Sequence, residues 1–205
     1  HVELPANQYI SYIDKMTWSM DEQYIMLGDK IASGEGSEFV SIHAAQDSLR
    51  FFAKTAFYNL NDYIIHADGV DAISVADAQV YPDSGRVTIA KNAIMKTLFE
   101  ASILANNLTE YHTFTNATVN IKTAHNYLAS GNYTYKDALN NEQQIFFNDI
   151  KVDLDTVTIA KGSVKNDDIF HIDSQFDFKG NIDLVADQKN LTFDGYFMMN
   201  HDCSM

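Results

Sequence analysis

Histidine and cysteine are the first candidates for chemistry, because their side chains bind metals and act as bases or nucleophiles. The chain has seven histidines and one cysteine, but neither the H-E-x-x-H nor the C-x-x-C motif of zinc sites. His66, His112 and His171 fall inside predicted strands, where a solvent-facing or hydrogen-bonded histidine is a simpler interpretation than a metal ligand. Cys203 lies near His201, close to the end of the sequence. This proximity resembles a catalytic nucleophile with its base only superficially. These residues predict no metal site, no catalytic site and no internal disulfide.

Aspartates cluster at three places in the sequence. The clusters are Asp68, Asp71 and Asp77; Asp153 and Asp155; and Asp167, Asp168 and Asp173. Calcium takes several oxygen ligands, often from one loop with a fixed glycine, and no D-x-[DN]-x-[DN]-G loop is present. Aspartates in turns also accept hydrogen bonds from their own backbone. That role explains the clusters without a cation, so we predict no bound metal.

The signals for an enzyme are weak. Paired carboxylates could hydrolyse glycosides, but 28 acidic residues allow such pairs to be drawn almost at will. No G-x-S-x-G nucleophile elbow is present. The small-residue loop at 31–37 matches neither a dinucleotide fingerprint nor a P-loop, so no cofactor is predicted. We predict a non-enzymatic protein, with a polysaccharide-acting enzyme as an alternative.

Aromatic residues give a better lead. The chain has 13 phenylalanines and 11 tyrosines, and many of them alternate along predicted strands. Exposed aromatic rows bind sugars or lipid chains through flat apolar contact, whereas buried ones fill a β core. The sequence leaves both roles open.

The charge of the chain narrows the classes of partner. A formal net charge of −14 repels phosphate backbones and anionic lipid headgroups, which argues against nucleic acid and against a polybasic membrane contact. The longest apolar runs, such as residues 93–95 and 196–199, are far too short to span a bilayer.

Alternating apolar residues separated by short polar turns predict an all-β protein. Residues 16–20 keep a period of two and predict a hairpin with residues 23–27, although a capping helix fits nearby apolar spacing as well. Residues 82–85 place proline and glycine as a hairpin turn would. Residues 91–99 fit either a short helix or a strand. We predict one β-rich domain over 1–205, with 1–37 as a possible N-terminal hairpin or cap.

A loose repeat organises the stretch from 55 to 107, with a fourth, weaker opening at 116–119. Its marker alanines are Ala56, Ala78, Ala101 and Ala117, at steps of 22, 23 and 16 residues. These steps predict stacked hairpins in an open jelly roll, and the alternative is a parallel β-helix, whose coils have a similar length. The hairpin turn at Pro82 favours the jelly roll.

The repeated unit is Ala-x-hydrophobic-Tyr, a polar turn, then hydrophobic-x-Ala-polar-Gly/Asn. It resembles the OstA-like family of lipopolysaccharide-transport proteins at 56–69 and 78–92, with weaker similarity at 18–28 and 101–107. The resemblance implies an open, V-shaped β-jelly roll built from successive hairpins. The family contacts lipid through inward-facing apolar residues without a fixed motif, so it assigns no individual site residue here.

Other segments look like parts of large extracytoplasmic proteins of Bacteroidota. They are residues 46–49, 75–78 with 81–83, 193–196 and 201–203. This similarity implies a periplasmic or cell-surface location and brings no activity with it.

These observations together predict a cell-envelope module that acts as a spacer or binds a lipid acyl chain or a glycan. A continuous apolar trough would favour the acyl chain, and an exposed aromatic platform would favour the glycan. A fully packed interior would leave the spacer role. A further alternative is a protein-interaction segment that pairs with a partner through its open β edges.

Overall fold

The computed structural model describes residues 1–13, 15–28, 34, 36–137, 140–165, 168–173 and 175–199. Within these residues the chain forms β-strands and two single-turn 3₁₀-helices, Ala44–Gln46 and Asp83–Gly85. Strands β1 to β9 span Val2–Leu4, Tyr9–Tyr12, Met16–Ser19, Tyr24–Gly28, Ser37–Ser41, Arg50–Ala53, Thr55–Asn59, Ile65–Asp68 and Ile73–Val75. Strands β10 to β18 span Ala78–Tyr81, Arg86–Ile89, Leu98–Leu104, Thr113–Thr123, Asn126–Lys136, Glu142–Val152, Thr158–Val164, Phe176–Val185 and Thr192–Met199.

The described strands form three sheets. Their strand orders are β1-β2-β5-β6, β11-β8-β7-β4-β3 and β18-β17-β16-β15-β14-β13-β12-β10-β9. Every pairing between these strands is antiparallel. The all-β prediction is therefore confirmed, and the parallel β-helix alternative is wrong because its coils would pair in parallel.

The nine-stranded sheet curls into a half-barrel. Tyr135 in β14 and Phe193 in β18 have ring centroids 6.0 Å apart, although three strands lie between them in the sheet. In a flat sheet, strands so far apart in order would be separated by about 19 Å. The curl brings their rings together across a concave face, which is consistent with an open, jelly-roll-like fold.

Alternation along the strands determines the buried face of the curled sheet. In β13 the side chains of Ala117, Val119 and Ile121 are buried, as the sequence pattern predicts, because successive side chains of a strand point to opposite faces. The buried apolar residues of all three sheets belong to one cluster.

Two predicted hairpins have different outcomes. Strands β3 and β4 pair from Met16 with Leu27 to Ser19 with Tyr24, so the first hairpin is confirmed. The hairpin turn predicted at 82–85 is wrong, because β10 joins the nine-stranded sheet while β11 joins the five-stranded sheet. Pro82 and the turn after it form a corner at which the chain changes sheets.

The repeat is consequently not a repeat of equivalent hairpins. Strands β7 and β8 form a hairpin around Ala56, but the corresponding strands around Ala78 lie in separate sheets. All four marker alanines are nevertheless buried, and Ala101 pairs directly with Ala117. Small side chains at these four points allow neighbouring parts of the chain to pack closely, although the surrounding strand arrangement differs from one point to the next.

Several boundaries also differ from the sequence pattern. Residues 91–99 contain no helix, since Met95 makes an isolated bridge to Ile89 and β12 begins at Leu98. Strand β15 runs without a break from Glu142 to Val152, and β16 runs from Thr158 to Val164. The loop predicted at 31–37 lies largely outside the described residues. Residues 1–37 supply strands to two sheets.

Candidate functional site

Aromatic rings fill the concave face of the curled sheet. Phe114, Tyr133 and Phe147 come from three neighbouring strands and meet with ring centroids 5.5 to 6.0 Å apart. Phe114 and Phe147 are completely buried. Their edge-to-face arrangement is the favourable one for aromatic pairs, so this part of the concave face is solid core and not a cavity.

A second group of rings continues the row towards the sheet edge. Phe193 in β18 contacts Tyr135, Phe170 and Phe178, at centroid distances of 6.0, 6.3 and 5.1 Å. Phe178 also contacts Phe197, at 5.3 Å. Phe170 and Phe178 are buried, while Phe193 is only half-buried. The row therefore becomes accessible to solvent near Phe193.

An open cleft of about 510 Å³ lies where the row meets solvent. We call it the aromatic cleft, and its lining residues are Tyr111, Tyr133, Thr134, Tyr135, Lys136, Lys189, Asn190, Leu191 and Phe193. Rings and an aliphatic side chain provide apolar surface, and hydroxyl, ammonium and amide groups provide hydrogen-bonding partners. Ligand sites commonly combine apolar walls with a few polar groups in this way.

His112 positions the two loops that flank the cleft. Its buried ring donates from Nε2 to the carbonyl of Gln188, at 2.6 Å, because a carbonyl can only accept. In the neutral ring, Nδ1 then accepts from the Tyr133 hydroxyl at 3.1 Å. Next to it, the Thr109 hydroxyl donates to the carbonyl of Ala186, at 3.1 Å. These contacts join the segment before β13 to the turn before β18, which carries Lys189 and Asn190.

Tyr133 and Tyr135 are neutral hydrogen-bonding groups at ordinary pH. Burial raises the pKa of both Tyr133 and Tyr135, with smaller contributions from Tyr135 at the former and from Asp137 and Asp173 at the latter. Lys136 pairs with Glu142, with Nζ to Oε1 at 2.9 Å. The cleft thus offers hydroxyl and ammonium donors beside exposed ring faces, a combination suited to binding a polyhydroxylated ligand.

The three histidines that the sequence singled out lie apart from one another. His66 is exposed in β8, and its Nδ1 lies 3.4 Å from the Thr88 hydroxyl. His171 lies in an isolated bridge and bonds to Asp177. His112 precedes β13 and is not inside a strand. Each is therefore solvent-facing or hydrogen-bonded, as predicted.

Turn bonding accounts for several of the clustered aspartates. Asp153 Oδ1 accepts from the backbone N–H groups of Asp155 and Val157, both at 2.9 Å. Asp173 Oδ1 accepts from Phe176 in the same way, at 2.9 Å. Asp167, His201 and Cys203 lie outside the described residues. Among the residues that the structure does describe, no three His, Cys, Asp or Glu side chains come together in a way that could hold a metal ion.

The sequence did not identify the members of the aromatic cleft. The number of aromatic residues indicated that ring surfaces exist, but Tyr111, Lys189 and Asn190 lie in loops without periodicity. Their proximity depends on His112 and Thr109, whose partners are 76 and 77 residues away. Only the tertiary structure could show that these residues lie close together.

In the described part of the chain, no helix is both long enough and apolar enough to cross a membrane. No protein-family model, curated protein or solved structure matches this chain.

Proposed function

We propose that this protein is a non-enzymatic carbohydrate-binding module that holds a glycan in the aromatic cleft. The observation that carries the proposal is the composition of the cleft, in which the exposed ring of Tyr111 and the half-buried ring of Phe193 lie beside Lys189 and Asn190. Sugars present apolar C–H faces that stack on rings and hydroxyl groups that exchange hydrogen bonds. The cleft supplies partners for both.

The packing of the concave face supports a glycan over an acyl chain. An acyl chain needs a continuous apolar channel, but Phe114, Phe147 and Phe178 fill the space where such a channel would run. The cleft at the end of the row is short and carries ammonium, amide and hydroxyl groups. An aliphatic chain placed there would leave those polar groups without partners at a cost in free energy.

An extracytoplasmic location belongs to the same proposal. It rests on the resemblance of short segments such as 46–49 and 193–196 to envelope proteins, and a glycan ligand fits the periplasm or the cell surface. The net charge of −14 is compatible with this setting.

The first test is a glycan-binding measurement on the wild type and on Tyr111→Ala. Neutral and charged oligosaccharides would be screened on an array, and hits would be titrated by isothermal calorimetry. Removal of the Tyr111 ring should weaken binding about tenfold, because ring stacking contributes about 1 kcal/mol or more. The variant should unfold at the wild-type temperature, since Tyr111 is 48% exposed.

Tyr81→Ala is the matched control. Tyr81 lies in β10, is 41% exposed and does not line the cleft. It should bind every hit as the wild type does. Equal losses in both variants would show nonspecific aromatic adsorption, and the absence of any hit across neutral and charged glycans would contradict the proposal.

A further inference from the structure

Strand β18 is an unusually open sheet edge. It has eight residues, whereas the other edge strands among the described sheets, β1, β3, β6, β9 and β11, have three or four. Its pairing with β17 runs from Thr192 to Met199 without a register shift. Long, regular edges can pair with a further strand, and proteins usually block them with bulges, prolines or charges.

The side chains of β18 do not block this edge. Asp194 is the only charged residue of the strand, and the strand contains no proline. Four consecutive large residues, Tyr196 to Met199, are exposed on both faces of the sheet. On the concave face, Phe197 is the last ring of the aromatic row, and about half of its side chain is exposed to solvent. Among the described residues, the row therefore stops at β18 and no further strand pairs with its outer edge.

We propose that β18 pairs with β18 of a second copy of this chain, antiparallel about a two-fold axis. Such an axis, perpendicular to the sheet, keeps each side chain on its own face and so sets a residue opposite its own copy at the centre. With Gly195 at the centre, Phe193 faces Phe197 of the second copy, and Asp194 faces Tyr196 of the second copy. Each pair occurs twice.

This register complements itself in shape and in chemistry. The two Phe193–Phe197 pairs extend the aromatic row of each copy, and each Asp194 carboxylate lies opposite the Tyr196 ring of the other copy and not opposite a second carboxylate. Gly195 leaves the centre without bulk. Like charges would face each other directly only if the axis passed through Asp194, which this register avoids.

The overall charge predicts how dimerisation depends on salt. Each copy carries a formal charge of −14, so two copies repel each other at long range. Salt screens this repulsion. The dimer should therefore become tighter as ionic strength rises, unlike an assembly held by ion pairs.

Sedimentation equilibrium of the wild type, Phe197→Lys and Phe146→Lys tests whether the outer edge of β18 forms the dimer. Phe197 is 55% exposed in β18, and Phe146 is 56% exposed in the interior of the same sheet, in β15. We expect a reversible dimer for the wild type and for Phe146→Lys, and at least tenfold weaker dimerisation for Phe197→Lys, with unfolding temperatures reported for all three. A wild type that stays monomeric up to its solubility limit, or a dimer unaffected by Phe197→Lys, would overturn the proposal.

Disulfide trapping tests the register. In a Cys203→Ser background, the pair Asp194→Cys and Tyr196→Cys should form covalent dimers on mild oxidation, while Asp194→Cys with Met198→Cys should not. Trapping by the second pair alone would overturn this register. Phe197 does not line the aromatic cleft, so a failed dimer test would leave the glycan proposal to its own binding measurement.

Discussion

At the residue scale, a largely buried hydrogen-bond chain joins one end of the curled sheet to its interior strands. Asp77, in the turn between β9 and β10, accepts from the Thr158 hydroxyl at 2.6 Å and from the Thr158 backbone N–H at 3.0 Å. Thr158 is fully buried at the start of β16, and its hydroxyl also lies 2.9 Å from the Tyr127 hydroxyl. Because the Thr158 hydroxyl donates its hydrogen bond to Asp77, it accepts a hydrogen bond from the Tyr127 hydroxyl. These hydrogen bonds therefore join the turn between β9 and β10 to two strands, β14 and β16, that are distant from it in sequence.

Thr158→Val should reveal the strength of this coupling. Valine has the same shape but removes one donor to a carboxylate and the acceptor of a buried tyrosine, so unfolding free energy should fall by about 2–4 kcal/mol. Urea denaturation followed by circular dichroism would measure it. Thr192→Val, on the exposed strand β18, should change stability by less than about 0.5 kcal/mol. Similar values for both variants would mean that the network contributes little.

Residue-scale prediction from the sequence succeeds when both partners are local. Asp153 bonds within its own turn, which its turn setting predicted. Asp77 stood in a predicted cluster with Asp68 and Asp71, yet its partner Thr158 is 81 residues away. No local pattern distinguishes these two aspartates. The same limitation hid the aromatic cleft, whose loops meet through the distant partners of His112.

At the element scale, the sequence revealed strands more reliably than their partners. Burial imposes a period of two on each strand, so Ala117, Val119 and Ile121 were correctly placed on one face. Partner choice depends on where the chain turns, and the corner at Pro82 has the residue types of a hairpin turn. Both a hairpin and a corner need a tight reversal, so composition alone could not separate them.

Two glycines decide how β18 attaches to its neighbour. Gly180 in β17 pairs with Gly195 in β18, and Gly180 has a φ of +145°. A Cβ added to Gly195 would lie 2.1 Å from the Lys179 carbonyl oxygen and 2.8 Å from the Gly180 Cα. No side chain fits at Gly195 without separating the strands.

Gly195→Ala should therefore loosen β18 selectively. We expect a stability loss of about 1–3 kcal/mol from overpacking, together with faster amide hydrogen exchange in β18 than in β14. Thr192→Ala, on the same strand but exposed, is the control and should exchange as the wild type does. Uniform protection across β18 in Gly195→Ala would show that the backbone absorbs the methyl group easily.

At the scale of the whole molecule, the aromatic row connects the fold with the proposed function. The rings that fill the concave face leave no continuous apolar channel among the described residues of that face, and their row reaches solvent at Phe193 in the aromatic cleft and at Phe197 on β18. The sequence predicted an all-β, open roll rich in aromatic residues. It could not predict whether the interior was filled, because that depends on the curl of the sheet.

Buried tyrosines in two different sheets make global stability sensitive to alkaline pH. Burial raises the pKa of Tyr9, in the four-stranded sheet, and of Tyr127, in the curled sheet, well above the ordinary value of about 10. The native state thus keeps protons that the unfolded state loses, so this stabilisation is complete below about pH 10 and declines as pH rises towards the raised values. Each group should remove about 1.4 kcal/mol of unfolding free energy per pH unit in that range.

Urea denaturation between about pH 8 and 11 tests this expectation. The unfolding free energy should decline less steeply with pH in the double variant Tyr9→Phe/Tyr127→Phe than in Tyr81→Phe, whose ring is exposed. Parallel curves for the two variants would show that lysine titration, and not these phenols, governs alkaline unfolding.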